Sequence, residues 1–423
     1  MDLKLSLVPP GVVSDRITVT ALCGLYNDEP QPVEAEVKLY VDGDAGRRQV
    51  GEARVTVPAS SAVRARLEFP TSGLSGACIA VATARSAEAR EPLTVKPSDV
   101  RSPREIGGAW AGIEHWSDRE GAPWNSDIRT MTDRDWRELV HAMHEIRMDA
   151  MVIQECLRNE CYVGRHDIET NGYHGKAFYP SRLFPERMKL ASDNPIEAIL
   201  SEADELGVKV FLGVGMYAWF DFSAGSLAWH KKVASELFEL FGGHRSFYGW
   251  YISAEVFGNL GDDDSRREDI VRFFTEFQAH VQSFAPEKPV MLAPNCHQVL
   301  ESNGYYPKLL PHLDVLCPFG FHRMPEGDQT GEESAAWLQR ACDEAGTHFW
   351  MDMEAFIFGP DEVLLPRPVE GLISDMNRFP NFEKILCYQF PGLLTSPAMR
   401  VKLGGDEAVK LHQDYKAWLG AGS

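Results

Sequence analysis

Between residues 16 and 84 the chain alternates apolar and polar positions in short runs. Arg16–Ala21, Ala35–Val41, Ala53–Val57, Val63–Phe69 and Ile79–Ala84 each read as a strand with one buried face. Turn-rich segments such as Asp42-Gly-Asp-Ala-Gly46 separate them. Strand follows strand with no long helical pattern. This predicts a small all-β sandwich of immunoglobulin-like size over residues 1–100, a packing accessory rather than a catalytic unit.

After the linker Pro97-Ser-Asp-Val-Arg-Ser-Pro-Arg104 the pattern changes. Apolar runs of strand length occur at 108–113, 150–155, 208–215, 247–256, 289–295, 313–319, 348–356 and 384–390. Between most of them the apolar residues recur at helical spacing, as in Trp136, Leu139, Val140, Met143 and Ile146. Cap signals mark the helix starts. Thr132 with Asp135 forms a capping-box pattern, and Asn194 precedes Pro195 at a first helical position. Further helices are expected at 226–241, 332–344, 369–378 and 406–419, with another carrying Ile270 to Phe284. Eight strands alternating with helices over residues 105–423 predict an α/β fold, the (β/α)8 TIM barrel. No Gly-rich phosphate loop follows any strand, which disfavours a doubly wound open sheet.

Composition narrows the function by exclusion. A formal charge of −20 over 423 residues argues against nucleic acid or an anionic membrane as partner. The N-terminus shows no secretory signal pattern and no apolar run reaches membrane-spanning length, so a cytoplasmic location is expected. The eight cysteines contain no CxxC pair and read as reduced core thiols. Oligomeric state is not legible.

In a barrel of this kind the carboxyl ends of the strands carry the chemistry. Those ends supply Trp110, Gln154, Glu155, Tyr217, Trp219, Tyr251, Glu255, Asn295, His297, His322, Asp352, Glu354 and Gln389. Aromatic faces suit the C–H faces of sugars, and amides and carboxylates suit their hydroxyls. The expected partner is therefore a carbohydrate, with no organic cofactor. Period two places Tyr251, Ser253 and Glu255 on one face of the fourth strand. It likewise places His348, Trp350, Asp352 and Glu354 on one face of the seventh. Gln154 and Glu155 fall on opposite faces of the second, so only one can point inward unless the strand has ended. Glycosidic cleavage needs two carboxyl groups, and Glu255 and Glu354 are the candidate pair.

Other motifs fare less well. His141, His144 and Glu145 lie on a helix in neither HExxH order nor its inverse, which reads as a solvated face. His297 and His322 admit a metal-dependent hydrolase, but substrate contact is the preferred reading and no metal is assigned. Asp262-Asp-Asp264 lacks the spacing of a calcium loop. A barrel that binds sugar without cleaving it is the rival from another class.

Glutamates ending the fourth and seventh strands resemble the arrangement of the large clan of retaining glycoside hydrolases. That resemblance implies acid/base catalysis by Glu255 and a nucleophilic Glu354. One position departs from the pattern: the clan usually has Asn directly before the acid/base, and here Ala254 stands there. Phe247-Tyr-Gly-Trp-Tyr-Ile252, Trp350-Met-Asp-Met-Glu-Ala-Phe356, Gln389-Phe390 and Ser396-Pro397 more closely resemble an uncharacterised bacterial family of glycosidase-like barrels, a domain of unknown function. The similarity covers about residues 105–400 and carries no substrate.

Overall fold

A computed structural model of the chain describes residues 1–44, 46–159, 175–215 and 221–421. The N-terminal region forms two β-sheets around a core of its own, built on Leu5, Val19, Val37, Leu39 and Phe69. Asp2–Val8, Thr18–Asn27 and Ser61–Pro70 make an antiparallel three-stranded sheet. Gly11–Ser14, Ala87–Lys96, Gly76–Ala84, Val33–Gly43 and Gly46–Val57 make the second, in that order. Only the Gly11–Ser14 pairing is parallel. The five expected strands are present, and Asp2–Val8, Gly11–Ser14 and Ala87–Lys96 are additional.

The second region is a closed parallel barrel of eight strands. In order these are Ile106–Ala111, Ala150–Ile153, Lys209–Gly213, Phe247–Tyr251, Val290–Leu292, Val315–Leu316, His348–Glu354 and Lys384–Tyr388. The surrounding helices begin where the cap signals put them. Thr132 N–H donates to Asp135 Oδ2 at 2.7 Å, and Glu197 N–H donates to Asn194 Oδ1 at 3.2 Å. None of the helices among the described residues is long and apolar enough to cross a membrane.

The fourth strand departs from simple period two. Its register slips where Val210 pairs with Phe247 but Phe211 with Gly249. The bulge turns both Tyr248 and Tyr251 into the barrel core, with Trp250 packed outside. The strand also ends at Tyr251, so Glu255 stands on a loop rather than on the ladder.

The sandwich closes the amino-terminal end of the barrel. Val8 and Leu22 join the barrel's inner core with Trp110, Phe211, Tyr248 and Trp350. The Tyr248 hydroxyl donates to the Leu7 carbonyl at 2.6 Å, and Val12 N–H to Asp149 Oδ2 at 2.7 Å. Arg64 forms a nearly buried ion pair with Asp314 at 2.7 Å. With one end stoppered, access to the barrel interior is left to the carboxyl ends of the strands.

Candidate active site

A cavity of about 240 Å³ opens at those carboxyl ends. The seventh strand provides its two central carboxyl groups. Along the inner face of that strand His348 points to the sandwich, where its Nε2 lies 2.8 Å from Thr20 Oγ1. Trp350 fills the barrel core, and Asp352 and Glu354 line the cavity. Glu255 lines it from the loop after strand four, and Trp110 and Tyr251 pack edge to face at 5.8 Å on its wall. Gln154 lines it as well.

The two glutamates are held in opposite electrostatic states. Arg323 Nε donates to Glu354 Oε1 at 2.5 Å, and His322 Nδ1 lies 2.9 Å from Oε2. Burial alone would raise the Glu354 carboxyl, but His322 and Arg323 outweigh it and hold the group below its ordinary value. Glu255 is pushed up to about 7, mainly by burial, with Arg323 opposing and the negative charge of Glu354 adding to the rise. Asp352 is pushed well above the carboxylate range by burial and by Glu354. Its Oδ1 has no partner, and neither does the buried Gln154 Oε1. Unpaired buried polar atoms on a cavity wall are costly unless a polar ligand meets them.

The remaining expected residues fall elsewhere. Asn295 is not on the cavity wall; its Oδ1 accepts from Gly258 N–H at 2.8 Å and pins the loop that carries Glu255. His297 is half-buried and not on the cavity wall, and burial and the Arg323 charge lower its pKa. Gln389 is buried and accepts from Gly112 N–H at 3.2 Å. Glu155 corrects the expectation that it lines the site. It turns away and pairs with Arg158 in a buried ion pair, with Nε donating to Oε1 at 3.0 Å, because the inward direction at this strand end belongs to Gln154. Tyr217 and Trp219 lie outside the described residues.

Several wall residues escape sequence reasoning. Glu120 sits on the loop after strand one, and its pKa is raised to about 7 by burial and by the nearby charges of Glu255 and Glu362, against Arg119. Arg323 follows His322 directly, and that adjacency was the available signal. Trp116, Phe319, Phe356, Phe358, Leu364 and Tyr388 complete the wall. Phe356 and Phe358 come from an antiparallel hairpin, Phe356–Phe358 with Leu364–Pro366, inserted after strand seven. The hairpin is tied to the loop of Glu120. Leu364 N–H donates to the Glu120 carbonyl at 3.0 Å, and Arg119 Nε to the Asp361 carbonyl at 2.6 Å. Trp116, Glu120, Arg323, Phe358 and Leu364 lie outside every apolar run of the sequence, whereas Phe319, Phe356 and Tyr388 lie within runs read as strands.

The fold is thus a TIM barrel with a β-sandwich stopper and an acidic, aromatic cavity at the carboxyl ends of its strands. Residues 106–400 match the family described as "Domain of unknown function (DUF4434)", and the chain belongs to that family. No curated protein matches it in sequence. Among solved structures it is similar to one from Bacteroides thetaiotaomicron provisionally described as an alpha-L-fucosidase. The TM-score there is 0.54 at 15% identity, over 75% of this chain and 93% of that one. It is also similar to a GH2 beta-galacturonidase from Eisenbergiella tayi, with TM-score 0.42 and 12% identity over 99% and 73% of the two chains. A Bacteroides uniformis beta-glucuronidase gives TM-score 0.40 and 12% identity over 92% of this chain but 45% of that one, so this chain spans under half of that enzyme. At these identities the likeness concerns the fold alone.

Proposed function

We propose that the barrel hydrolyses a glycosidic bond with retention of configuration, using Glu255 as acid/base and Glu354 as nucleophile. The observation that carries this reading is the opposite displacement of two carboxyl groups in one cavity, Glu255 up to about 7 and Glu354 down. The unpaired Gln154 and Asp352 oxygens favour a hydroxyl-rich ligand. In the first step a Glu354 oxygen bonds to the anomeric carbon. The bond to the leaving oxygen breaks, and that oxygen takes the proton of Glu255. In the second step Glu255 removes a proton from water, whose oxygen displaces Glu354 and releases the sugar. The division near residue 100 into an accessory sandwich and a catalytic barrel belongs to this proposal, with the sandwich as a stopper.

The test is incubation with glycosides of both anomeric configurations and NMR of the first-formed product. Retention supports the assignment, and inversion removes Glu354 from the nucleophile role. Calorimetric sugar binding without any product would favour the non-catalytic barrel.

The same assignment sets the pH profile. Glu255 must carry its proton, so kcat/KM is expected to fall as pH rises through about 7. Glu354 must be ionised, so its lowered pKa sets the acid limb. Arg323→Ala removes a charge that favours the ionised form, and the acid limb is expected to move to higher pH. An unmoved limb in that variant would contradict the role given to Arg323.

A further inference from the structure

The cavity changes character along its depth. Its floor comes from the barrel strands and the residues at their ends: Trp110, Gln154, Tyr251, Asp352 and Tyr388. This layer offers an amide, a carboxyl group and hydroxyls. Its mouth comes from loops, and there Trp116, Phe319, Phe356, Phe358 and Leu364 present apolar surface. Among the described mouth residues the indole N–H of Trp116 is the one neutral hydrogen-bonding group. Of the charged ones, Glu255 is committed to the reaction and Arg323 bonds Glu354, which leaves Glu120.

A sugar in that mouth could lay a C–H face on these rings, but its hydroxyls would surrender water and find few replacements. An apolar group would lose nothing there and would gain burial. Phe358 is 53% exposed, so its ring has surface left to cover. The hairpin that carries it is tied to the loop of Glu120, so the wall is formed in advance of binding. The cavity, at about 240 Å³, lies below the ~300–1,000 Å³ of sites that enclose a drug-sized ligand. That suits one sugar residue on the floor.

We infer that the substrate is amphiphilic, a single sugar residue on the polar floor joined to an apolar, non-sugar leaving group lying against Trp116, Phe319 and Phe358. This rests on the glycosidase reading and narrows it to glycosides of apolar alcohols rather than oligosaccharides.

The test compares n-octyl and methyl glycosides of the same sugar, below the micelle-forming concentration, across common hexoses in both anomeric forms. The two alcohols leave with similar chemistry, so the rate ratio reports contact with the mouth. The octyl glycoside is expected to show kcat/KM at least about tenfold higher, since burial of two of its seven extra methylenes suffices. It should also exceed the disaccharide built on the same sugar. Phe358→Ala should bring the octyl-to-methyl ratio towards one, and Phe319→Ala serves if that variant does not fold. Ile357→Ala, on the opposite face of the hairpin and outside the cavity wall, should leave the ratio unchanged. A ratio near one, or a preference for the disaccharide, overturns the inference while leaving the hydrolase reading standing. If no glycoside is cleaved, the hydrolase reading fails on its own. Calorimetry with the same pair then decides the inference, with about tenfold tighter octyl binding supporting it and equal binding overturning it.

Discussion

Replacing Glu354 by Gln is expected to reduce turnover by on the order of 10⁴-fold or more, with the fold intact. Gln keeps the volume and can still accept from Arg323, but it cannot form the covalent bond to the anomeric carbon. The residue is 2% exposed, and its carboxylate is held ionised by partners that are themselves open to water: His322 and Arg323 have side chains 22% and 37% exposed. Losing the charge therefore leaves no fully buried cation behind, and the circular dichroism spectrum and melting midpoint should stay close to those of the parent. Turnover within tenfold of the parent would end the assignment of Glu354. Glu155→Gln is the informative comparison. It alters a buried carboxyl group that also belongs to a strand end but pairs with Arg158 away from the cavity, so its effect should appear in stability and not in the shape of the pH profile.

The second large effect is expected at the other end of the barrel. Arg64→Ala should destabilise the protein by about 3–5 kcal/mol, because it breaks a buried ion pair by removing one partner. Arg64 and Asp314 have side chains 10% and 3% exposed. Arg64 Nη1 reaches both Asp314 oxygens at 2.7 and 3.0 Å, while Nη2 donates to the Lys288 carbonyl at 2.8 Å. The alanine variant leaves that carbonyl unmet, and Asp314 keeps Val290 N–H at 2.9 Å with Arg66 Nη1 only at 3.9 Å. Urea denaturation read by tryptophan fluorescence measures the loss, since all of the tryptophans lie in the barrel region. A loss under about 1 kcal/mol would show that the pair is dispensable to the joint between sandwich and barrel. Arg90→Ala breaks a pair with Glu88 in which both side chains are largely exposed, and it should leave the transition unchanged.

Much of the architecture was legible because each element carries its own period. The eight barrel strands were found from apolar runs, and the helix starts from Thr132 with Asp135 and from Asn194 with Pro195. The seventh strand was the clearest case. Alternation put His348, Trp350, Asp352 and Glu354 on one face, and the structure turns that face inward from the sandwich to the cavity. Three sandwich strands fall outside the five legible runs, among them Asp2–Val8, a short stretch with apolar alternation of its own.

The site was legible only in part. Alternation said that Gln154 and Glu155 face opposite ways, but not which of them faces in. That choice follows from where strand two ends and from the position of Arg158. Glu120, Arg323 and Phe358 stand on loops, where no repeat distance marks a residue as inward.

By itself the sequence determined the fold class, the order of its elements and the two strands that lead to the candidate glutamates, Glu354 at the end of the seventh and Glu255 on the loop after the fourth. Those follow from local periodicity and from chain-local cap chemistry. Tertiary structure alone decided that Glu354 meets His322 and Arg323, that Glu120 approaches Glu255, and that the hairpin after strand seven completes an apolar mouth. Such contacts join residues far apart in the chain. The directions in which the Glu255 and Glu354 carboxyl groups shift are set by burial and by neighbouring charges, which exist only once the barrel has closed.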